Sequence, residues 1–155
     1  MAKVEGISGL TKLFRESLND VDEGSHVLFI GSEAVCPPFA SLLAYAVRDH
    51  DLHFGFCPKA VWERSRVMSW IDGAGFQIGK GQFEPGEADV IVLLGGLAMP
   101  KFGCPVEDVK ALLSQVPRCK LVIGMGFMDV FRRAGWDKVI PFDVLIDCYM
   151  SADIV

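Results

Sequence analysis

The chain has 155 residues, of which 51% are apolar and 23% are charged, and its formal net charge is −5. These values exclude a disordered chain and predict one globular domain over residues 1–155. Because the acidic balance comes without a basic cluster, we expect no nucleic-acid partner and no binding to an anionic membrane. The longest uncharged stretch, residues 34–47, is too short to span a bilayer.

The cysteines indicate a reducing compartment. The first residues, MAKVEG, lack the apolar segment of a secretion signal, so we expect a cytoplasmic protein. In that setting the five cysteines are free thiols that serve packing, metal binding or chemistry.

The apolar pattern predicts helices alternating with strands. Leu10, Phe14 and Leu18 recur at helical spacing, whereas residues 26–31 form an unbroken apolar run typical of a strand covered on both faces. In chain order the predicted elements are helix 8–19, strand 26–31, helix 37–49, strand 51–56, helix 58–71, strand 75–79, strand 88–94, helix 105–116, strand 120–124, helix 129–134 and strand 144–148.

This alternation predicts an α/β fold, a three-layer αβα sandwich around a mainly parallel sheet of five or six strands. With residues 75–79 as a strand, the expected order is the Rossmann-like 3-2-1-4-5-6. Without that strand, the fallback is the flavodoxin-like order 2-1-3-4-5. Both orders place the ends of strands 26–31, 51–56 and 88–94 side by side.

A cysteine followed at once by proline occurs at Cys36, Cys57 and Cys104, each time between a predicted strand and a predicted helix. Proline favours the first helical position, so each cysteine is expected at or next to a helix N-terminus. A thiol placed there should ionise more easily than a free one, because the helix dipole favours negative charge. Ligands of open α/β sheets bind at this edge, so the motif predicts a thiol-bearing crevice.

Three interpretations of these cysteines stay open. They are packed as small apolar side chains, they share a metal ion or an iron–sulfur cluster, or one of them is a functional thiol. Cys36, Cys57 and Cys104 are the metal candidates, although their spacing matches no CxxC pattern. Cys36 is the foremost candidate for a functional thiol, because the loop after the first strand is the usual ligand loop of this architecture.

Two further loops contribute candidate ligand contacts. The loop from Gly31 to Cys36 has neither a dinucleotide fingerprint nor a P-loop, and Glu33 would repel a phosphate. Ser32 remains a candidate hydrogen-bond donor to a ligand, with ordinary turn chemistry as the alternative. After strand 88–94, Gly95 and Gly96 allow close backbone approach to a ligand, and Lys101 offers a cation for a carboxylate or phosphate.

Two apolar surfaces suggest self-association instead. The helix predicted from residue 37 to residue 49 is apolar nearly all round and must be covered on more than one side, by the first helix or by a second subunit. Trp62, Arg66 and Trp70 fall in one row on the next predicted helix, a composition that suits a protein interface.

Three segments carry a combined pattern: GSEAVCPPF at 31–39 with LLAYAVRD at 42–49, ADVIVLLGGLAMPK at 88–101, and FMDVFRRAGW at 127–136 with FDVLID at 142–147. This pattern resembles an uncharacterised family of small archaeal proteins, chiefly from methanogens, over most of the chain. The resemblance implies an anaerobic archaeal cytoplasm, which fits unpaired cysteines. It implies no activity, cofactor or catalytic residue.

The sequence therefore favours a small-ligand-binding domain whose crevice is lined by Ser32, Cys36, Cys57, Gly95, Gly96, Lys101 and Cys104. The alternative is a non-catalytic, homo-oligomeric interaction module. An enzyme acting on a small anionic metabolite is a third hypothesis, and the sequence names no cofactor for it.

Overall fold

The computed structural model describes residues 3–155, which form seven strands and four α-helices. The strands are β1 (His26–Gly31), β2 (His53–Pro58), β3 (Arg66–Ile71), β4 (Gly75–Gln82), β5 (Val90–Leu94), β6 (Leu121–Phe127) and β7 (Val144–Cys148). The helices are α1 (Gly6–Ser17), α2 (Pro37–Ala46), α3 (Val106–Ser114) and α4 (Val130–Arg133). No helix in this part of the chain is long and apolar enough to cross a membrane.

All strands form one mixed sheet in the order β4-β3-β2-β1-β5-β6-β7. The five strands β1, β2, β5, β6 and β7 are parallel, and β3 and β4 form an antiparallel hairpin beside β2. The predicted α/β class is therefore confirmed, whereas the six-strand order is wrong because β3 lies between the predicted second and third strands. The parallel strands alone follow the fallback order 2-1-3-4-5.

The helix predicted from residue 58 to residue 71 does not exist. A short 3-10 turn, Trp62–Arg64, leads instead into β3, where Met68 is buried and Trp70 is exposed. The turn at residues 72–74 then returns the chain into β4, which is longer than the predicted strand 75–79. The predicted helical row of Trp62, Arg66 and Trp70 is wrong for the same reason.

Two apolar clusters cover the two faces of the sheet. On one face α1 and α2 pack over alternate strand residues, and Phe14, Phe29 and Leu43 are fully buried there. On the other face α3 and α4 cover Leu28, Ile91 and Leu93. As expected, the apolar helix α2 is covered by both the sheet and α1.

Candidate functional site

Cys36 caps the N-terminus of α2, as the motif predicts. The two prolines that follow Cys36 also prevent this helix terminus from binding an anion. Pro37 and Pro38 have no N–H group, and the next two amides, of Phe39 and Ala40, donate to the Cys36 carbonyl at 3.0 and 3.1 Å. No amide in this first turn is left to stabilise a thiolate or a phosphate.

The Cys36 side chain is enclosed at the junction of two strand ends, with 2% of the residue exposed. A Cβ atom added at Gly96 would lie 2.6 Å from its Sγ and 3.3 Å from the Cβ of Ser32. The structure thus brings Ser32, Cys36 and Gly96 together, as a packed contact. Gly95 is also tightly packed, since its added Cβ would lie 2.9 Å from the Cα of Gly126.

Burial raises the pKa of the Cys36 thiol, and backbone hydrogen bonds with Ser32 and Gly96 offset this only in part. The expectation that this thiol ionises more easily is therefore wrong. Burial is the main cause of the raised pKa, and the double proline removes the first-turn amides on which that expectation depends.

The other two predicted thiols lie across the sheet from Cys36. Cys57 is buried within β2, is followed by no α-helix, and donates from Sγ to the Val61 carbonyl at 3.5 Å. Cys104 is half-buried one residue before Pro105, the N-cap of α3. Both pack in the cluster on the α3 face, whereas Cys36 belongs to the α1–α2 face.

Cys57 and Cys104 are electrostatic neighbours. Burial raises the pKa of the Cys104 thiol to about 11, the Asp108 carboxylate adds to the rise, and the Lys59 ammonium opposes it. Because Cys36 lies on the opposite face, the three thiols do not converge on one metal ion. Within residues 3–155 no group of three histidine, cysteine or acidic side chains is placed to hold a metal.

Lys101 is exposed on the long loop after β5. Its predicted role as a cation for an anionic ligand stays a prediction. A cluster of charged side chains lies just after the ends of β1 and β2. There Glu33 Oε2 accepts from Arg64 Nη2 at 2.8 Å, and Glu33 Oε1 lies 4.0 Å from Lys59 Nζ.

An open groove lies on the α3 face, directly after the carboxyl end of β2, with a cavity volume of about 620 Å³. One wall is the segment 60–63, and the other is α3. The lining side chains are those of Ala60, Val61, Trp62, Glu63, Asp108, Ala111, Leu112 and Gln115. Within residues 3–155, neither Glu63 nor Asp108 forms an ion pair.

Sequence reasoning missed this groove because it placed residues 60–63 inside a helix. In β3 only Met68 is buried and the next three residues are exposed, so no regular alternation marks this segment as a strand.

Backbone strain is also concentrated at this edge of the sheet. Lys59 and Ala60, directly after β2, have φ values of 49° and 60°. Met128 and Asp129, directly after β6, have φ values of 53° and 62°. Left-handed conformations are costly for residues with a Cβ, so these two turns hold backbone strain at the carboxyl edge of the sheet.

The fold and this edge define a mixed-sheet α/β domain with buried thiols and an acidic groove beside α3. Residues 5–151 match the family of uncharacterised proteins conserved in archaea, DUF2124, and the chain belongs to that family. The predicted resemblance to an uncharacterised archaeal family is thereby confirmed.

The chain is similar to uncharacterised proteins of two methanogens. The one from Methanothermobacter thermautotrophicus is 37% identical over 155 residues, covering 99% of this chain and 94% of the relative. The one from Methanocaldococcus jannaschii is 39% identical over 150 residues, covering 96% of this chain and 89% of the relative. A crystal structure of a protein of unknown function from Methanothermobacter thermautotrophicus superposes with a TM-score of 0.87 at 34% identity, covering 100% of this chain and 96% of that one.

Proposed function

We propose that this domain binds a small organic cation in the groove between residues 60–63 and α3. The observation that carries the proposal is a pair of carboxylates, Glu63 and Asp108, that form no ion pair within residues 3–155 and that line the groove together with the half-buried Trp62. Carboxylates attract an ammonium group and an indole face adds a cation–π contact, so together they favour a positively charged ligand.

The surroundings support a cation rather than an anion. The chain carries a net charge of −5, and the α2 N-terminus has no free first-turn amide for a phosphate or carboxylate. The apolar side chains of Val61 and Leu112 line the same groove and suit alkyl groups on the ligand. Cys57 Sγ donates to the carbonyl of the groove residue Val61 at 3.5 Å, but neither Cys57 nor Cys104 lines the groove. We also infer a reducing cytoplasm as the site of action, because all five cysteines are free.

The proposal is tested by a nuclear magnetic resonance titration of the full chain with tetramethylammonium chloride, against sodium chloride at equal ionic strength. We expect a saturable shift of the Trp62 indole N–H resonance, with the buried Trp136 resonance unchanged. Asp108→Asn should weaken binding about fivefold, because it removes one of two charges that face the cation.

Glu107→Gln is the matched control, since it removes the same charge from the neighbouring residue of α3 that does not line the groove. Its affinity should equal that of the wild type. Absence of a saturable response, or an unaltered affinity in Asp108→Asn, contradicts the proposal.

A further inference from the structure

The hairpin edge of the sheet carries an unusual concentration of exposed apolar side chains. β4 is the last strand of the sheet, so one side of its backbone has no strand partner in the described chain. Around it Trp70 is 45% exposed, Ile78 37% and Tyr45 46%. An eight-residue edge strand with one charged side chain, Lys80, is a template for pairing with a further strand.

The apolar side chains at this edge are already held in place. Tyr45 stacks on Trp70 with ring centroids 6.0 Å apart, and Trp70 meets Phe76 edge-to-face at 5.3 Å. Phe76 and Ile78 are two residues apart on β4 and therefore share one face of the sheet. A partner strand would meet side chains that lose little conformational freedom on binding.

We propose that β4 pairs antiparallel with β4 of a second copy of this chain, centred on Gln77. In that register Phe76 lies opposite Ile78 of the second copy, and the two-fold axis makes the same contact twice. Trp70 and Tyr45 extend the apolar contact on the same side.

The charges of the hairpin support a second copy as the occupant. The register brings Lys80 opposite Ala74 of the second copy, at the turn where Asp72 lies. Within residues 3–155, neither Lys80 nor Asp72 forms an ion pair. The β3–β4 hairpin therefore supplies both halves of the apolar contact and, from β4 and the turn before it, both halves of the charge contact, as an isologous interface requires.

Sedimentation analysis of the full chain, diluted from about 200 to 2 μM, tests this proposal. We expect a species of twice the 17.0 kDa chain mass. Ile78→Lys should raise the dimer dissociation constant at least about a hundredfold, because each copy then places an ammonium group opposite Phe76. Ile7→Lys is the matched control, since Ile7 is also an exposed isoleucine but lies on α1, and it should leave the dimer unchanged.

Exchanging the charges tests the register. Lys80→Asp should weaken the dimer, and the double variant Lys80→Asp with Asp72→Lys should restore it, which a non-specific apolar contact would not do. A monomeric wild type, a dimer unaffected by Ile78→Lys, or a double variant without recovery overturns the proposal. Circular dichroism of each variant establishes that it is folded. Neither the sedimentation result nor its interpretation depends on the cation groove.

Discussion

The two ends of the parallel strands are built differently. At the amino end, side-chain carboxylates accept hydrogen bonds from backbone amides of the neighbouring strands. Asp89 accepts from the His26 N–H at 2.8 Å and from Arg118 Nε at 2.8 Å. Asp143 likewise accepts from the Val122 N–H at 2.8 Å. Each of these carboxylates begins or precedes a strand and satisfies an amide of its neighbour, so this end of the sheet serves stability.

At the carboxyl end, Asp147 Oδ2 is buried without a hydrogen-bond partner, and four of the five left-handed non-glycine residues within residues 3–155 lie there, the fifth being Asp51 at the amino end. Left-handed turns follow β2 and β6, and the groove begins directly after the first of these turns. Yet this end is not uniformly open, because Cys36 fills the junction between β1 and β5 while Cys104 stays half-buried. The difference teaches that packing against neighbouring strand ends, and not the Cys-Pro dipeptide, decides what a thiol at this edge can do.

The largest expected effect concerns thiol accessibility at the carboxyl end. Native Cys36 should react with iodoacetamide at least about a thousandfold more slowly than in the unfolded chain, because the buried thiol is reached only through unfolding. Cys104 should react in the native state, with a rate that rises with pH towards its pKa of about 11. Peptide mass spectrometry with and without denaturant measures both. Rapid native labelling of Cys36 would show that this junction opens.

The tightness of the same junction is tested by adding a methyl group. Gly96→Ala should cost about 3 kcal/mol of unfolding free energy, since the new Cβ would lie 2.6 Å from Cys36 Sγ. Cys36→Ala in the same chain should recover part of that loss. Gly31→Ala should also destabilise the fold, but adding Cys36→Ala should recover less of that loss. The new Cβ at residue 31 would lie 2.5 Å from the Cβ of Cys36, and alanine retains that atom.

Gly81→Ala is the control for these variants, since its nearest contact would be an ordinary 3.9 Å. Urea denaturation measures all of them. Equal losses for Gly81→Ala and Gly96→Ala, or no coupling between Gly96→Ala and Cys36→Ala, would contradict a closed junction.

The amino end should respond to pH. Burial alone would raise the pKa of Asp89, but hydrogen bonds from the His26 N–H and Arg118 outweigh it and hold this pKa below its usual range. A carboxylate with a lowered folded-state pKa stabilises the fold above its unfolded pKa of about 3.9, and that contribution is lost as pH falls through the folded value. Asp89→Asn should therefore cost about 2 kcal/mol at pH 7 and progressively less below about pH 4.

Urea denaturation at several pH values measures this dependence, and the exposed Asp137→Asn should differ little from the wild type at each pH. A loss in Asp89→Asn that stays constant with pH would mean that the carboxylate charge is not what stabilises this end of the sheet.

The secondary structure was predictable where the sequence carries one clear pattern of apolar residues. The strands His26–Gly31 and Val90–Leu94 are unbroken apolar runs, and a strand buried on both faces requires that composition. Residues 58–71 failed because Pro58 suggested a helix start and Val61, Met68 and Ile71 mimic helical spacing. Met68 instead pairs with Phe54 on β2 and with Ile78 on β4, and these pairings make the segment a strand. Pairing between strands far apart in the sequence does not appear in the local spacing of apolar residues.

The candidate site was predictable in its location and not in its parts. Topology alone places the ends of β1, β2 and β5 together, which the structure confirms. The side of the sheet to which each thiol points depends on strand register, and a shift of one residue reverses it. The spacing of Cys36, Cys57 and Cys104 therefore could not reveal that the sheet separates the first from the other two.

The smallest expected effect tests whether strain at the carboxyl end serves binding. Ala60 holds a left-handed φ of 60° in the groove wall, so Ala60→Gly should stabilise the fold by about 0.5–1 kcal/mol. Ala74→Gly in the hairpin turn, where φ is not left-handed, should instead destabilise it slightly. If the strained turn positions Trp62 and Glu63 for a cation, Ala60→Gly should also weaken tetramethylammonium binding, because the wall becomes more flexible. If Ala60→Gly is more stable and binds tetramethylammonium as tightly as the wild type, the strain serves only the chain reversal after β2. Binding would then not depend on a rigid conformation of residues 60–63.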